Sequence, residues 1–142
     1  MRFIADVMLG KLAKRMRLRG FDVLYDHAAS DNEIIRLSLE QDRVILTRDT
    51  GLAARPVAAN HLFIKSDFVK EQLHQVLGTF HLETRAEPLT RCSLCNENLS
   101  PVSRHDVEDQ VPEYVHEKHG SFSRCEKCER IYWEGTHVKK LR

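Results

Sequence analysis

Two hydrophobic periods alternate over the first eighty residues, and this alternation constrains the fold more than any other feature of the chain. "RFIAD" is a short apolar run that ends at Asp6. Met8 to Arg19 then places Leu9, Leu12, Ala13 and Met16 at three- and four-residue spacing, the pattern of an amphipathic helix. Gly20 stops that helix, as a left-handed residue past a C-cap does. "DVLYD" is a second strand, ending at Asp26. "SDNEIIRLSLEQ" opens with Ser30 and carries Glu33 three residues on, which is a capping box. Ile34, Ile35, Leu37 and Leu39 supply the apolar content of that helix. "RVILTRDTG", Arg43 to Gly51, is a third strand that stops at Asp49 and a turn. "HLFIK" is a fourth, reaching Ser66 and Asp67, and Phe68 to Phe80 is a helix expected to bury Phe68, Val69, Leu73, Val76, Leu77 and Phe80. This rhythm predicts a parallel sheet with helices on its faces.

Ligands of such sheets bind outside the carboxyl ends of the strands. Asp6, Asp26, Asp49 and Asp67 each lie at or just past such an end, and Asp31 opens the helix after the second strand. Carboxylates gathered there repel one another, and a hard cation relieves the repulsion. Oxygen ligands without histidine favour Mg²⁺ or Mn²⁺. Two such ions on shared carboxylates activate a water and stabilise the leaving oxygen of a phosphodiester. Asp6, Asp31 and Asp49 are therefore the candidate catalytic, metal-binding set. Plainer roles compete at each neighbour. Asp31 suits a helix N-terminus, Glu33 serves the capping box, and Asp26 and Asp67 are ordinary solvated strand ends. A fourth acidic ligand, from among Asp26, Glu33 and Asp67, stays open.

Net charge is only +1, but Lys11, Lys14, Arg15, Arg17 and Arg19 form a run with no acid. It is either a solvated helix face or a phosphate-binding stripe. In the second reading Lys11, Lys14 and Arg15 hold a substrate backbone, with Arg48 a further candidate.

From Leu82 the period is lost, and residues 82–90, which contain Pro88, read as a linker. All four cysteines lie beyond it, as Cys92-Ser-Leu-Cys95 and Cys125-Glu-Lys-Cys128. Each CxxC turn offers two thiolates, and two turns complete a tetrahedral zinc site with no open position, which is structural rather than catalytic. The interval 96–124 is longer than the roughly 15–20 residues usual between such pairs. It is read as a hairpin with an extended loop, "VSRHDVEDQVPEYVHEKHG". His105, His116, His119 and His137 are alternative ligands, but four thiolates suffice and the histidines read as surface residues. Tyr132 and Trp133, beside Arg130 and Lys139-Lys140, are either core rings of a small ribbon or a platform for stacked bases. The ribbon's need for a core favours the first. The expected domains are 1–84 and 85–142.

A composition of 42% hydrophobic and 30% charged residues describes a globular chain, and no apolar run reaches the ~20 residues of a membrane span. "MRFIADVMLGKLAKR" lacks a signal peptide's apolar centre. A cytoplasmic protein with reduced cysteines is the expectation.

"SDNEIIRLSLEQDRVILTRDTG" resembles the second half of a PIN nuclease domain, where an Asp begins a helix and the following strand ends in a Thr-x-Asp-type motif. With "IAD…MLGKLAKRMRLRGFDVLYD" before it and the four-cysteine tail after it, nearly the whole chain is similar to the Mut-seven carboxy-terminal RNase-like family. The resemblance implies a PIN-like three-layer α/β domain with a parallel central sheet, followed by a small zinc-ribbon module. It further implies a divalent-metal-dependent ribonuclease acting on RNA or single-stranded DNA, with Asp6, Asp31 and Asp49 as the acidic site. Ordinary PIN domains carry another acid on a helix between the first two aspartates. Here that interval is compressed, and its only acids are Asp22 and Asp26. The rival readings are a non-catalytic RNA-binding or ribosome-associated adaptor and, more distantly, a doubly wound phosphoacceptor domain. The latter wants an adjacent acidic pair that "ADVM" does not supply. Oligomeric state is not legible in the sequence.

Overall fold

Each apolar run becomes a strand and each amphipathic run a helix in the computed structural model, which describes residues 1–118 and 120–134. In chain order the first half contains β1 (Arg2–Ala5), α1 (Gly10–Leu18), β2 (Asp22–Leu24), α2 (Asp31–Gln41), β3 (Val44–Thr47), α3 (Thr50–Ala53), β4 (His61–Phe63) and α4 (Val69–Thr79). The four strands are parallel, in the order β2-β1-β3-β4. Alternate residues of each strand face opposite layers. Phe3, Ala5, Val44 and Leu46 join Leu12, Met16, Leu73 and Val76 in one core under α1 and α4. Ile4 and Ile45 join Ile34, Ile35 and Leu52 in the other, under α2 and α3.

The order of the strands places the site. The chain leaves β1 toward β2 on one side, and leaves β3 toward β4 on the other. A crevice opens where adjacent strands send their connections apart, and that is where open α/β sheets bind ligands. Asp6 follows β1 and Asp49 lies just beyond β3, so both acids border it.

Local chemistry explains most of the boundaries. Gly20 has φ 95°. Its N–H donates to the Arg17 carbonyl and the Phe21 N–H to the Met16 carbonyl, the paired bonds of a Schellman motif. A Cβ there would stand 2.6 Å from the Glu87 carbonyl oxygen, so only glycine fits. Glu33 N–H donates to Ser30 Oγ, the first half of the expected capping box, while the Glu33 carboxylate accepts from the Ser30 hydroxyl rather than from its backbone N–H. Two expectations need correction. The first helix is split, with a 3-10 turn at Val7–Leu9 before α1, because the Asp6 carboxylate caps that turn through Met8 N–H. Phe68 is the N-cap of α4 and is 71% exposed, since its position precedes the turn whose apolar face meets the sheet. Leu39 is likewise exposed, on the outer face of α2.

The second half is an antiparallel sheet of β5 (Leu99–Val102), β6 (Phe122–Cys125) and β7 (Ile131–Trp133), with α5 (Glu113–Lys118) between β5 and β6. The interval expected to be an extended loop is thus partly helical. Val107, Val111 and Val115 recur every four residues and pack on Phe122, with Trp133 against them. Acids and Pro112 between the valines masked that period. Among the described residues no helix is long and apolar enough to cross a membrane.

The two halves meet through specific bonds. Leu82 is buried in the core under α1 and α4, and Glu87 N–H donates to the Arg19 carbonyl, so residues 82–90 are packed rather than a bare tether. Asn96, in the left-handed region at φ 62°, accepts from Val23 N–H and donates to Asp22, covering the free edge of β2. Asp22 also receives both terminal nitrogens of buried Arg43, at 2.8 and 3.3 Å. Burial opposes ionisation of Asp22, but Arg43 and Asn96 together hold it below the ordinary carboxylate value. Asp22 therefore serves structure at the amino end of its strand, away from the crevice. Asp22→Asn leaves the Arg43 charge buried without its partner, and breaking such a pair costs about 3–5 kcal/mol. Urea unfolding at neutral pH should show that loss, and a midpoint within error of wild type would refute the pairing.

Candidate functional site

Two sets of chemistry-bearing side chains stand out, one at the carboxyl edge of the parallel sheet and one in the cysteine turns. At the edge, Asp6 is buried. Met8 N–H donates to its Oδ1 at 2.9 Å. Arg48 N–H donates to Oδ2 at 3.0 Å, and the buried Thr47 hydroxyl donates to the same oxygen at 2.5 Å. Three of the roughly four acceptor positions of the carboxylate are thus used, and one is left open. Thr47 Oγ1 also accepts from Asp49 N–H at 2.9 Å, so one hydroxyl ties the end of β3 to both acids. Asp49 caps α3, its Oδ1 taking Gly51 N–H and Leu52 N–H.

The other predicted residues separate by position. Asp31 is exposed in the first turn of α2. Among the described residues, only the cysteines form a group of three or more potential ligands with all ligand atoms within 4.8 Å, so Asp6, Asp31 and Asp49 are not drawn together to that degree. Glu33 is occupied by its cap. Asp26 is exposed past β2 and takes Ala28 N–H. Asp67 pairs with Arg48 at 2.6 Å, and Arg48 also donates to the Ile64 carbonyl. Arg48 is therefore already held, though it stands beside the edge. Lys11 and Lys14 are exposed on α1 and Arg15 is half-buried.

The donor set at the edge suits a hard divalent ion, because every available group is a carboxylate oxygen. Asp6 and Asp49 lie on either side of the topological switch and could offer oxygens to such an ion.

In the cysteine turns the four sulfurs converge. Cys92, Cys95, Cys125 and Cys128 lie within 4.8 Å of one another, and none is in a disulfide. The two turns repeat one geometry. Asn96 N–H donates to the Cys92 carbonyl and Glu129 N–H to that of Cys125, and Asn96 and Glu129 both have positive φ. Burial opposes ionisation of Cys92, but the Tyr132 hydroxyl and the N–H groups of Cys95 and Leu94 bring it down to about 7. Burial and the neighbouring thiols push Cys95 up to about 12. Four thiols so close cannot all ionise without a cation, and the tetrad can bind a structural metal such as zinc. His105 and His116 lie outside it, and His119 and His137 fall outside the described residues.

A family model described as "Mut7-C RNAse domain" matches residues 1–142. The chain belongs to this family. No curated protein and no solved structure matches it. In this Mut7-C chain several working residues carry no sequence signal of their role. Thr47 lies inside "RVILTRDTG", yet its part in bridging Asp6 and Asp49 emerges only once β1 and β3 are neighbours. Arg17 reads as one more cation of the basic run. It is buried, donates to the Val23 carbonyl, and reaches the Ser93 and Leu94 carbonyls in the first cysteine turn. Through those carbonyls Arg17 ties α1 to the first cysteine turn. Tyr132 is buried as its core reading requires, and its hydroxyl accepts from Ser93 N–H while touching Cys92 Sγ at 3.2 Å.

Proposed function

We propose that this Mut7-C protein is a PIN-like, divalent-metal-dependent ribonuclease whose acidic site is built on Asp6 and Asp49, with Asp31 approaching from α2. The observation that carries the reading is the position of Asp6 and Asp49 at the switch between oppositely directed connections, joined through Thr47. Mg²⁺ or Mn²⁺ would supply charge neutralisation at phosphorus and a water of lowered pKa. The protein's share is placement. β1 and β3 fix two carboxylates on a rigid sheet, and Thr47 and Arg48 N–H orient Asp6. Lys11, Lys14 and Arg15 hold phosphates of the substrate strand. The four-cysteine module serves as a zinc ribbon that covers the β2 edge. A reducing compartment such as the cytoplasm keeps its thiols available.

The test is cleavage of end-labelled RNA with Mg²⁺, Mn²⁺ or chelator, with product ends identified. Attack by water leaves a phosphomonoester and a hydroxyl, whereas attack by the 2′-hydroxyl leaves a cyclic phosphate. Metal-dependent cleavage without cyclic ends is expected. Chelator-resistant cleavage, or cyclic ends, would contradict the reading. Two observations favour a second reading, a non-catalytic RNA-binding adaptor: Asp6 is largely satisfied by internal donors, and the three aspartates do not all lie within 4.8 Å of one another. RNA binding with no cleavage under any divalent ion would select it.

A further inference from the structure

Two concavities are lined by residues of α1 and α4. The first, of about 530 Å³, is lined by Met8, Gly10 and Lys11 at the start of α1 and by Asp67, Phe68, Val69 and Gln72 at the start of α4. The second, of about 790 Å³, has Arg15 and Arg19 on one side and, on the other, Lys65 and Lys70 with Glu71 and His74. Each contains one acid, and each acid is already engaged. Asp67 holds Arg48 at 2.6 Å, and Glu71 accepts from the Ser66 hydroxyl at 2.7 Å. Lys65 and Lys70 are exposed, and neither forms an ion pair among the described residues.

The two concavities differ in what they expose. The second carries four cations, Arg15, Arg19, Lys65 and Lys70, around an apolar floor that includes Leu73 and Leu77. The first exposes apolar groups, Phe68 at 71% and Met8 at 62%, beside Lys11. An exposed ring alone means little. This one stands next to the catalytic edge, because Met8 N–H bonds Asp6 and Asp67 pairs with the Arg48 whose N–H does the same. A flat ring beside cations binds an unstacked base, and a duplex has no unstacked base to offer. We propose that the α1–α4 face is the binding track for single-stranded RNA, with Phe68 stacking a base beside the Asp6 edge. Lys65, Lys70, Arg15 and Arg19 hold the phosphates that follow. This rests on the ribonuclease reading for its direction toward Asp6. From Lys11 to Arg19 the track spans roughly 12 Å of helix, enough for a short run of nucleotides.

The test is fluorescence anisotropy of a labelled oligoadenylate and of a duplex RNA of equal length, each across a salt series. Phe68→Ala should weaken single-strand binding roughly 5- to 150-fold with an unchanged salt slope, and should leave duplex binding as it was. Lys65→Glu with Lys70→Glu should flatten the slope by roughly 0.7 for each phosphate no longer neutralised. Arg36→Glu, a charge reversal on α2 of the opposite layer, is the control. The track is overturned if Phe68→Ala and the double reversal bind like wild type, if Arg36→Glu matches the double reversal, or if Phe68→Ala weakens duplex equally. Cleavage is recorded in parallel. If no variant or wild-type protein cleaves while the binding pattern holds, the nuclease reading fails and the track stands.

Discussion

Protein purified under reducing conditions should carry a single zinc ion per chain, and Cys92→Ser should release it and unfold the β5-β6-β7 half. The core of that half is small: Val107, Val111, Val115 and Phe122 form one cluster, and Tyr132 with Cys92 and Cys125 forms another that rests on the metal turns themselves. Structural zinc in finger-sized domains contributes about 10–16 kcal/mol at neutral pH, far more than such a core supplies. Serine does not replace the thiolate. It would also strip Tyr132 and the Cys95 N–H of the sulfur they face. The parallel-sheet half should stay folded with a lower midpoint, because Arg17 loses the Ser93 and Leu94 carbonyls and Asn96 no longer covers β2. Elemental analysis with far-ultraviolet dichroism checks this. Zinc-free wild type, or a Cys92→Ser protein that retains zinc and the wild-type melting curve, would refute the structural site.

Asp49→Asn should abolish most cleavage while hardly changing the stability of the metal-free protein. Asp49 caps α3, and in the proposed site it would also hold the ion, two tasks that the substitution separates. Oδ1 caps α3 through Gly51 and Leu52, and asparagine caps a helix about as well as aspartate. The charge that a divalent ion requires is what the substitution removes. The loss of charge weakens the interaction with the dipole of a helix only four residues long, which is a small cost. Stabilisation by Mn²⁺, which binds the folded state, should shrink or vanish. The rate should fall by orders of magnitude, since the ion's contribution to the transition state is several kcal/mol. Asp6→Asn is a less discriminating variant. Its amide would turn N–H toward Thr47, Arg48 or Met8 donors in a buried site, and one such mismatch costs about 1–3 kcal/mol whatever the chemistry. Thermal unfolding with and without Mn²⁺, beside a cleavage assay, separates the effects. Equal Mn²⁺ stabilisation of both proteins with undiminished cleavage would reduce Asp49 to a helix cap.

The parts of this fold that are local were legible in the sequence, because periodicity and caps are local. The helix stop at Gly20, the capping box at Ser30 and the aspartates past β1 and β3 all follow from a few neighbouring residues. What depends on strand order was not. No period says that β1 lies between β2 and β3, so the crevice and the Thr47 bridge were hidden. The same holds for Asp22, which looks like one more acid until Arg43 and Asn96 arrive from distant segments. Phe68 was misjudged for a different reason. It fits the apolar face of α4 by spacing, but a residue before the first turn does not share the helix's orientation. The proposed base stacking depends on that same exposed ring.

The most direct test of the central claim is anomalous scattering from crystals soaked in Mn²⁺. A peak about 2.1 Å from carboxylate oxygens of both Asp6 and Asp49 is expected, and it should be absent from Asp49→Asn crystals treated alike. Saturating Mn²⁺ with no peak in the crevice, or with peaks only at acids elsewhere, would contradict the assignment of this sheet edge as the catalytic centre.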